Sequence, residues 1–98
     1  MIRHVVMWKL AAEDSAGKAA SVAALAGVLE PLVHLDGISS LTVRANGADI
    51  EGNWDAVLVG DYDSLDALDT YLVHPEHVAA VVVVKQHTSA RAAADYEL

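Results

Sequence analysis

The sequence contains no cysteine and no phenylalanine, only two prolines, and only six Lys and Arg residues against fourteen Asp and Glu. Without cysteine, a disulfide framework and a thiolate zinc site are both excluded. The net charge of −8 argues against nucleic-acid binding, because neutralising phosphates requires a basic surface. The longest uninterrupted apolar run is Val78–Val84, well short of the ~18 residues of a membrane span, and no signal peptide is visible. These features predict a soluble, cytoplasmic protein that binds neither nucleic acid nor membrane.

Apolar residues make up 54% of the 98, which excludes a disordered chain. The length suits a single domain spanning residues 1–98. Ala and Val dominate the apolar set, so each side chain buries little area, and the core of a lone domain of this size is marginal. The composition therefore favours association with a second chain.

Alternating apolar residues predict four strands. The first, Ile2–Leu10, directs His4, Val6 and Trp8 to one face and Val5 and Met7 to the other. The others are predicted at Ile38–Ala45, Trp54–Tyr62 and, with weaker patterning, Ala90–Tyr96. In the third strand one face carries Trp54, Ala56, Leu58, Gly60 and Tyr62, and the opposite face carries Asp55, Val57, Val59 and Asp61.

Helical periodicity begins after an N-cap at Asp14 or Ser15 and continues to Val33. Its stripe consists of Val22, Leu25, Leu29 and Leu32, and Pro31 is expected to end or kink the helix near Val28–Glu30. Asp63 or Ser64 caps a short helix that carries Leu65, Leu68 and Leu72. Pro75 starts a further helix that continues to about Gln86, although the β-branched run Val81–Val84 leaves a strand as the alternative there.

The order of elements predicts an α+β, ferredoxin-like βαββαβ fold with an antiparallel sheet. Helices cover only one face of such a sheet, and the opposite face carries Val5, Met7, Val57 and Val59. Monomers avoid an exposed apolar patch of this kind. We therefore predict a homodimer in which two sheets pack through their open faces.

Several segments together resemble a known family. They are Met1–Val6, Asp36–Ile38, Trp54–Leu58, the segment Tyr71-Leu72-Val73-His74-Pro75-Glu76-His77-Val78, and Asp95–Glu97. The Tyr-x-x-His-Pro-x-His pattern is the most specific of them. The chain resembles the stress-responsive A/B barrel (Dabb) domain family, within the dimeric α+β barrel superfamily, over nearly its whole length. The resemblance implies a ferredoxin-like protomer whose sheet closes an intermolecular barrel with that of a second copy.

The resemblance also implies two kinds of function. Some members are stress proteins that form very stable oligomers, and others resemble polyketide cyclases, which perform an intramolecular aldol condensation without a metal or organic cofactor. In the cyclase-type members a His and a Tyr act as an acid/base pair, and these correspond to His77 and Tyr71. The His on their first strand lines the substrate pocket and corresponds to His4. In some members backbone carbonyls hold a cation, and the corresponding stretch here is Leu32–Ile38.

The chemistry of these residues is consistent with that role. Neutral imidazole is available near neutral pH to take a proton from carbon beside a carbonyl, and a phenol can donate to the oxyanion that develops. Val6, Trp8 and Leu58 share the helix-side face with His4 and are expected to wall an apolar pocket. The structural alternatives are that His77 and His4 are core histidines, that Tyr71 is a packing residue, and that His74 only starts a helix. A metal site on His74 and His77 is disfavoured because Pro75 biases His74 away from helical geometry.

Three functions therefore remain for comparison with the structure. The first is a small homodimeric protein for an apolar, carbonyl-bearing metabolite, either a cofactor-independent, polyketide-cyclase-like enzyme or a binding protein. The second is a non-catalytic stress protein that acts through a stable oligomer, and the third is a cofactor-free monooxygenase, by analogy of fold alone. An anionic substrate would require a cation such as Arg3, Lys9 or Arg44 at the mouth of the pocket.

Overall fold

A computed structural model describes all residues, 1–98. The chain forms four strands and three α-helices, and a 3-10 turn follows the first helix. Their bounds are β1 Ile2–Leu10, α1 Ser15–Leu29, the 3-10 turn Glu30–His34, β2 Ile38–Ala45, β3 Ala56–Tyr62, α2 Leu65–Val73, α3 Pro75–His87 and β4 Thr88–Glu97.

The strands form one antiparallel sheet in the order β2-β3-β1-β4. Residues directly opposite each other share a face, and β1 pairs Val6 with Leu58 and His4 with Gly60. This order and register are those of the ferredoxin-like fold, so the predicted fold class is confirmed. β4 begins directly after α3 and is longer than predicted, because it extends along the full length of β1.

The helix boundaries follow the capping signals. Asp14 accepts a hydrogen bond from the Gly17 amide at 2.6 Å and caps α1, and α1 gives way to the 3-10 turn where Pro31 interrupts it. Ser64 caps α2. The segment Val81–Val84 is helical, so the strand alternative for it is wrong. The N-terminal proline and the packing of α3 on α1 outweigh the β propensity of these valines.

The start of the third strand differs from the prediction. β3 begins at Ala56, two residues later than expected, because the chain bends before it. The Asp55 carboxylate accepts from the Leu10 amide at 2.8 Å and from Lys18 of α1 at 3.2 Å, so it lies on the helix side. Trp54 instead lies beside Lys9, whose Nζ is 5.4 Å from the ring centroid. The alternation assigned these two residues to the opposite faces because it assumed an unbroken strand.

The core lies between the sheet and the helices. Leu25 and Leu29 of α1, with Leu32 of the 3-10 turn, form the buried stripe, while Leu65 of α2 is exposed, contrary to expectation. The opposite face of the sheet has no helix over it. Its centre carries the predicted apolar residues in register, with Val5 opposite Val59 and Met7 opposite Val57.

α1 and the 3-10 turn together form one helical stretch, Ser15–His34, which is long and apolar enough to cross a membrane by length and composition. This stretch is not an uninterrupted apolar run, because residues such as Lys18, Ser21 and Glu30 interrupt it. A single such helix near the N-terminus is weak evidence, since the core helix of a soluble protein passes the same test. Because Leu25 and Leu29 of this helix are buried in the core, packing already accounts for its apolar face, and the absence of membrane contact stays a prediction.

Candidate functional site

A cavity of about 280 Å³ lies between the sheet and α3 and is open to solvent on one side. All six residues singled out from the sequence line it, namely His4, Val6, Trp8, Leu58, Tyr71 and His77. α1 contributes only Leu29, so its small residues Ser21–Ala26 do not form a wall. The remaining wall comes from α3 and from the start of β4, at Val81, Val84, Lys85, Thr88, Ser89, Ala90 and Arg91.

His77 and Tyr71 flank the break between two helices. α2 ends just before His74, which is extended, and α3 follows. The break brings the imidazole and phenol rings to a centroid separation of 4.4 Å. His77 Nδ1 lies 3.0 Å from the Leu72 carbonyl oxygen. Because a carbonyl only accepts, Nδ1 of the neutral ring carries the proton, and Nε2 remains free to accept one.

The surroundings of these two groups set their protonation. Burial lowers the pKa of His77, the hydrogen bond to the Leu72 carbonyl partly opposes this, and the charges of His4 and Arg91 lower the pKa further. Burial raises the pKa of Tyr71. Near neutral pH the site therefore holds a neutral imidazole, which is a base, beside a protonated phenol, which is a hydrogen-bond donor.

A second imidazole lies on β1. His4 is 4% exposed, and its Nδ1 contacts the Asp95 carboxylate, which accepts the hydrogen bond. The two residues lie directly opposite each other in the pairing of β1 with β4. The carboxylate fixes the orientation of the ring, as in other His–carboxylate pairs. In the sequence, Asp95 stands out only as part of a family segment, and the register of β4 against β1 places it beside His4.

Tyr62 extends this group of rings into the core. Its ring centroid is 5.1 Å from that of Tyr71 and 5.9 Å from that of His4. The side chain is completely buried, and its hydroxyl forms no hydrogen bond of standard geometry, although the Tyr71 side chain is close enough to interact with it. Burial, with the nearby Tyr71, raises the pKa of Tyr62. Gly60 makes the arrangement possible, because a Cβ there would lie only 2.8 Å from Cε1 of the Tyr62 ring.

His74 does not join the cavity. Its Nδ1 accepts a hydrogen bond from the Glu76 amide at 3.1 Å and caps α3, so the interpretation of His74 as a helix-start residue is confirmed. His34 also lies outside, with Nε2 3.1 Å from the Glu76 carboxylate. No group of three or more His, Asp or Glu side chains is arranged to hold a metal ion.

The cations at the cavity differ from those considered from the sequence. Arg3 pairs with Asp61 at 2.8 Å on the open face of the sheet, Arg44 pairs with Glu30 at 3.1 Å, and Lys9 lies over Trp54. None of them reaches the cavity. The cations that line it are Lys85 of α3 and Arg91 of β4, neither of which was singled out from the sequence.

Comparison with solved structures places the fold among known proteins. A dimeric protein of unknown function with a ferredoxin-like fold from Bacteroides fragilis is 28% identical, with a TM-score of 0.85 and coverage of 99% of this chain and 95% of that one. A Dabb family protein from Mesorhizobium loti is 19% identical, with a TM-score of 0.77 over 99% and 95% of the two chains. An antibiotic biosynthesis monooxygenase is 8% identical, with a TM-score of 0.76 over 100% and 98%.

A search of curated proteins gave no match. Residues 2–98 match the family described as the stress responsive A/B barrel domain. The match covers all four strands and all three helices, and with them every residue that lines the cavity. The chain therefore belongs to the stress responsive A/B barrel domain family.

Proposed function

We propose that the protein is a homodimer that binds an apolar, carbonyl-bearing metabolite and acts on it as a cofactor-independent, polyketide-cyclase-like enzyme. The observation that carries this proposal is the convergence of His4, Tyr71 and His77 on one cavity whose other walls are mostly apolar. Cavities with apolar walls and a few convergent polar groups are the usual form of a small-molecule site.

An intramolecular aldol condensation uses these groups in order. Nε2 of His77 takes a proton from a carbon beside a carbonyl, and the Tyr71 hydroxyl donates to the enolate oxygen. The carbon then attacks another carbonyl of the same molecule, and a carbon–carbon bond forms. The proton held by His77 passes to the new alkoxide, and the resulting alcohol is lost as water together with a proton from the neighbouring carbon, so the reaction needs no oxidant or reductant. His4, oriented by Asp95, is positioned to bind a further carbonyl.

The test uses a linear aliphatic triketone, which closes to an aromatic ring by aldol condensation and loss of water. We expect the wild type to catalyse ring closure and exchange of the ketone α-protons with deuterated water. His77→Asn retains a donor for the Leu72 carbonyl but lacks the basic Nε2, so both activities should fall by about 10²–10⁴-fold. His74→Asn preserves the cap of α3 and serves as the matched control.

The outcomes separate the candidate functions. Equal exchange in His77→Asn and the wild type would contradict the proposed base. No exchange by the wild type, with the dimer intact, would favour the non-catalytic protein that acts through a stable oligomer. Turnover that occurs only when oxygen is present would favour the monooxygenase alternative.

The homodimer is proposed from the open face of the sheet. Val5, Met7, Val57 and Val59 form its centre, and Ala92 and Ala94 of β4 lie opposite Met7 and Val5 on the same face. β4 is largely exposed on both faces in the single chain. An apolar sheet face of this extent favours a second copy as its cover, and the relative from Bacteroides fragilis is described as dimeric.

Val57→Asp tests this interface. A carboxylate buried between two sheets without a partner costs several kcal/mol, and the dimer would contain two of them. We expect sedimentation velocity to show a monomer for Val57→Asp. Ala23→Asp places the same charge on the exposed side of α1 and should leave the dimer intact. An unchanged dimer in Val57→Asp would place the interface elsewhere.

A further inference from the structure

Two cations without partners, both exposed to solvent, line the cavity. Lys85 and Arg91 both line the cavity, and neither forms an ion pair or a side-chain hydrogen bond, whereas the other four Lys and Arg residues are engaged through Asp61, Asn53, Asp55 and Glu30. In a chain with fourteen carboxylates, cations usually find an internal partner. The cavity is therefore the place where the protein keeps positive charge unneutralised.

The two ends of the cavity differ in chemistry. Lys85 lies eight residues after His77 on α3, which separates their Cα atoms by about 12 Å along the helix. On β4, Asp95 is opposite His4, while Arg91 is opposite Trp8, nearer the other end of β1. His4, Tyr71 and His77 thus mark one end, and Lys85 and Arg91 mark the other, with apolar side chains such as Val6 and Leu58 between them.

No carboxylate offsets the cationic end. The lining contains no Asp or Glu, and Asp95, which alternation places on the same face of β4 as Arg91, is engaged by His4. The charge on Arg91 is felt across the cavity, since it contributes to the lowered pKa of His77.

We infer that the natural ligand is an amphipathic carboxylate, whose carboxylate binds Arg91 and Lys85 while its apolar body extends along Val6 and Leu58 towards His77. The inference rests on the proposed function, because it names the class of molecule that the same cavity accepts. Arg presents a planar pair of N–H donors that matches the two oxygens of a carboxylate, and Lys adds a second charge. The charge then fixes the direction in which the substrate enters, with its other end at the base.

Octanoate and octanamide are suitable probes, because they have the same length and shape and differ in charge. Isothermal titration calorimetry at pH 7.5 should give a lower Kd for octanoate than for octanamide. Arg91→Gln should weaken octanoate binding about fivefold and leave octanamide binding unchanged. Raising potassium chloride from about 0.05 M to about 0.5 M should weaken only octanoate binding. Lys18→Gln is the matched control, since it removes the same charge from α1, outside the cavity.

A variant with a blocked cavity distinguishes failure of this inference from failure of the proposed function. Val81→Phe fills space in the cavity lining and should abolish binding of both probes. If both probes bind equally to the wild type and Val81→Phe excludes both, the cavity binds apolar molecules but the inferred carboxylate preference is wrong. If octanoate binds to Val81→Phe as to the wild type, the anion site lies elsewhere and the inference fails. If neither probe binds to the wild type, the inference and the proposed binding function both fail.

Discussion

The environment of His77 predicts a specific dependence of stability on pH. Its ring is half-buried and faces Tyr71 of α2, His4 of β1 and Arg91 of β4. Burial first, and then electrostatic interactions with His4 and Arg91, lower the pKa of His77 in the folded chain. His77→Asn removes the titrating group and retains a donor for the Leu72 carbonyl. Comparing the stability of the wild type and His77→Asn therefore separates the effect of protonating His77 from the effect of its hydrogen bond.

The direction of the pH effect depends on whether the folded or the unfolded chain binds the proton at the higher pH. In the unfolded chain a histidine titrates near pH 6.5, and in the folded chain His77 titrates lower. The contribution of the neutral His77 imidazole to the free energy of unfolding is fully present above about pH 6.5. It is lost as the pH falls towards the pKa that His77 has in the folded chain. One proton limits the slope to about 1.4 kcal/mol per pH unit. We expect a smaller slope, since the half-exposed imidazole keeps part of its hydration.

The carboxylates of Asp55 and Asp61 affect stability in a lower pH range. The Leu10 amide lowers the pKa of Asp55, and the hydrogen bond from Arg3 lowers that of Asp61. The stability that these groups contribute is present above about pH 4 and is lost only below it. A decline between about pH 6.5 and about pH 5 that disappears in His77→Asn is therefore assigned to the imidazole.

The assay is urea unfolding followed by the fluorescence of the buried Trp8, at one protein concentration, from about pH 7.5 to about pH 5. The wild type should lose more stability than His77→Asn over this range. His74→Asn should behave as the wild type, since asparagine is a good N-cap. Parallel profiles for the wild type and His77→Asn would refute the lowered pKa of His77.

Two further substitutions test the packing beneath the site. Tyr62→Phe removes a buried hydroxyl that has no hydrogen-bond partner of standard geometry. We expect this substitution to raise the free energy of unfolding by about 1 kcal/mol. A lower melting temperature would mean that the hydroxyl has a partner in solution. Gly60→Ala places a methyl group 2.8 Å from the Tyr62 ring and 3.0 Å from Leu41 Cδ1; we expect a loss of about 1–3 kcal/mol in chemical denaturation, and an unchanged midpoint would mean that the ring moves freely.

Strand periodicity was sufficient to predict which residues of the sheet line the cavity. Side chains alternate along a strand, so His4, Val6 and Trp8 had to share a face, and covering that face with helices placed them towards the core. Leu58 joined them because the central residues of β1 and β3 pair. The same rule failed at Trp54 and Asp55, where the carboxylate draws the backbone out of the strand to reach the Leu10 amide.

The cationic end of the cavity could not be predicted from strand periodicity. Arg91 and Asp95 lie on β4, whose Ala-rich sequence shows little alternation, and their positions depend on the register of β4 against a strand more than eighty residues earlier in the chain. Single-sequence patterns carry local information, whereas such a register is set by tertiary packing. The His–Pro break was predicted, but the tautomer of His77 depends on the Leu72 carbonyl, which has no sequence signature.

β4 connects the proposed dimer to the proposed site. Alternation directs Ala92 and Ala94 to the open face, and it directs Arg91 and Asp95 to the helix side, where Arg91 lines the cavity and Asp95 contacts His4. In the single chain this edge strand is held by β1 alone and is exposed along most of its length. A second sheet that covers the open face would bury the two alanines and restrict the motion of β4. We therefore expect monomeric Val57→Asp to bind octanoate more weakly although its cavity residues are unchanged, because the strand that positions Arg91 has lost its cover.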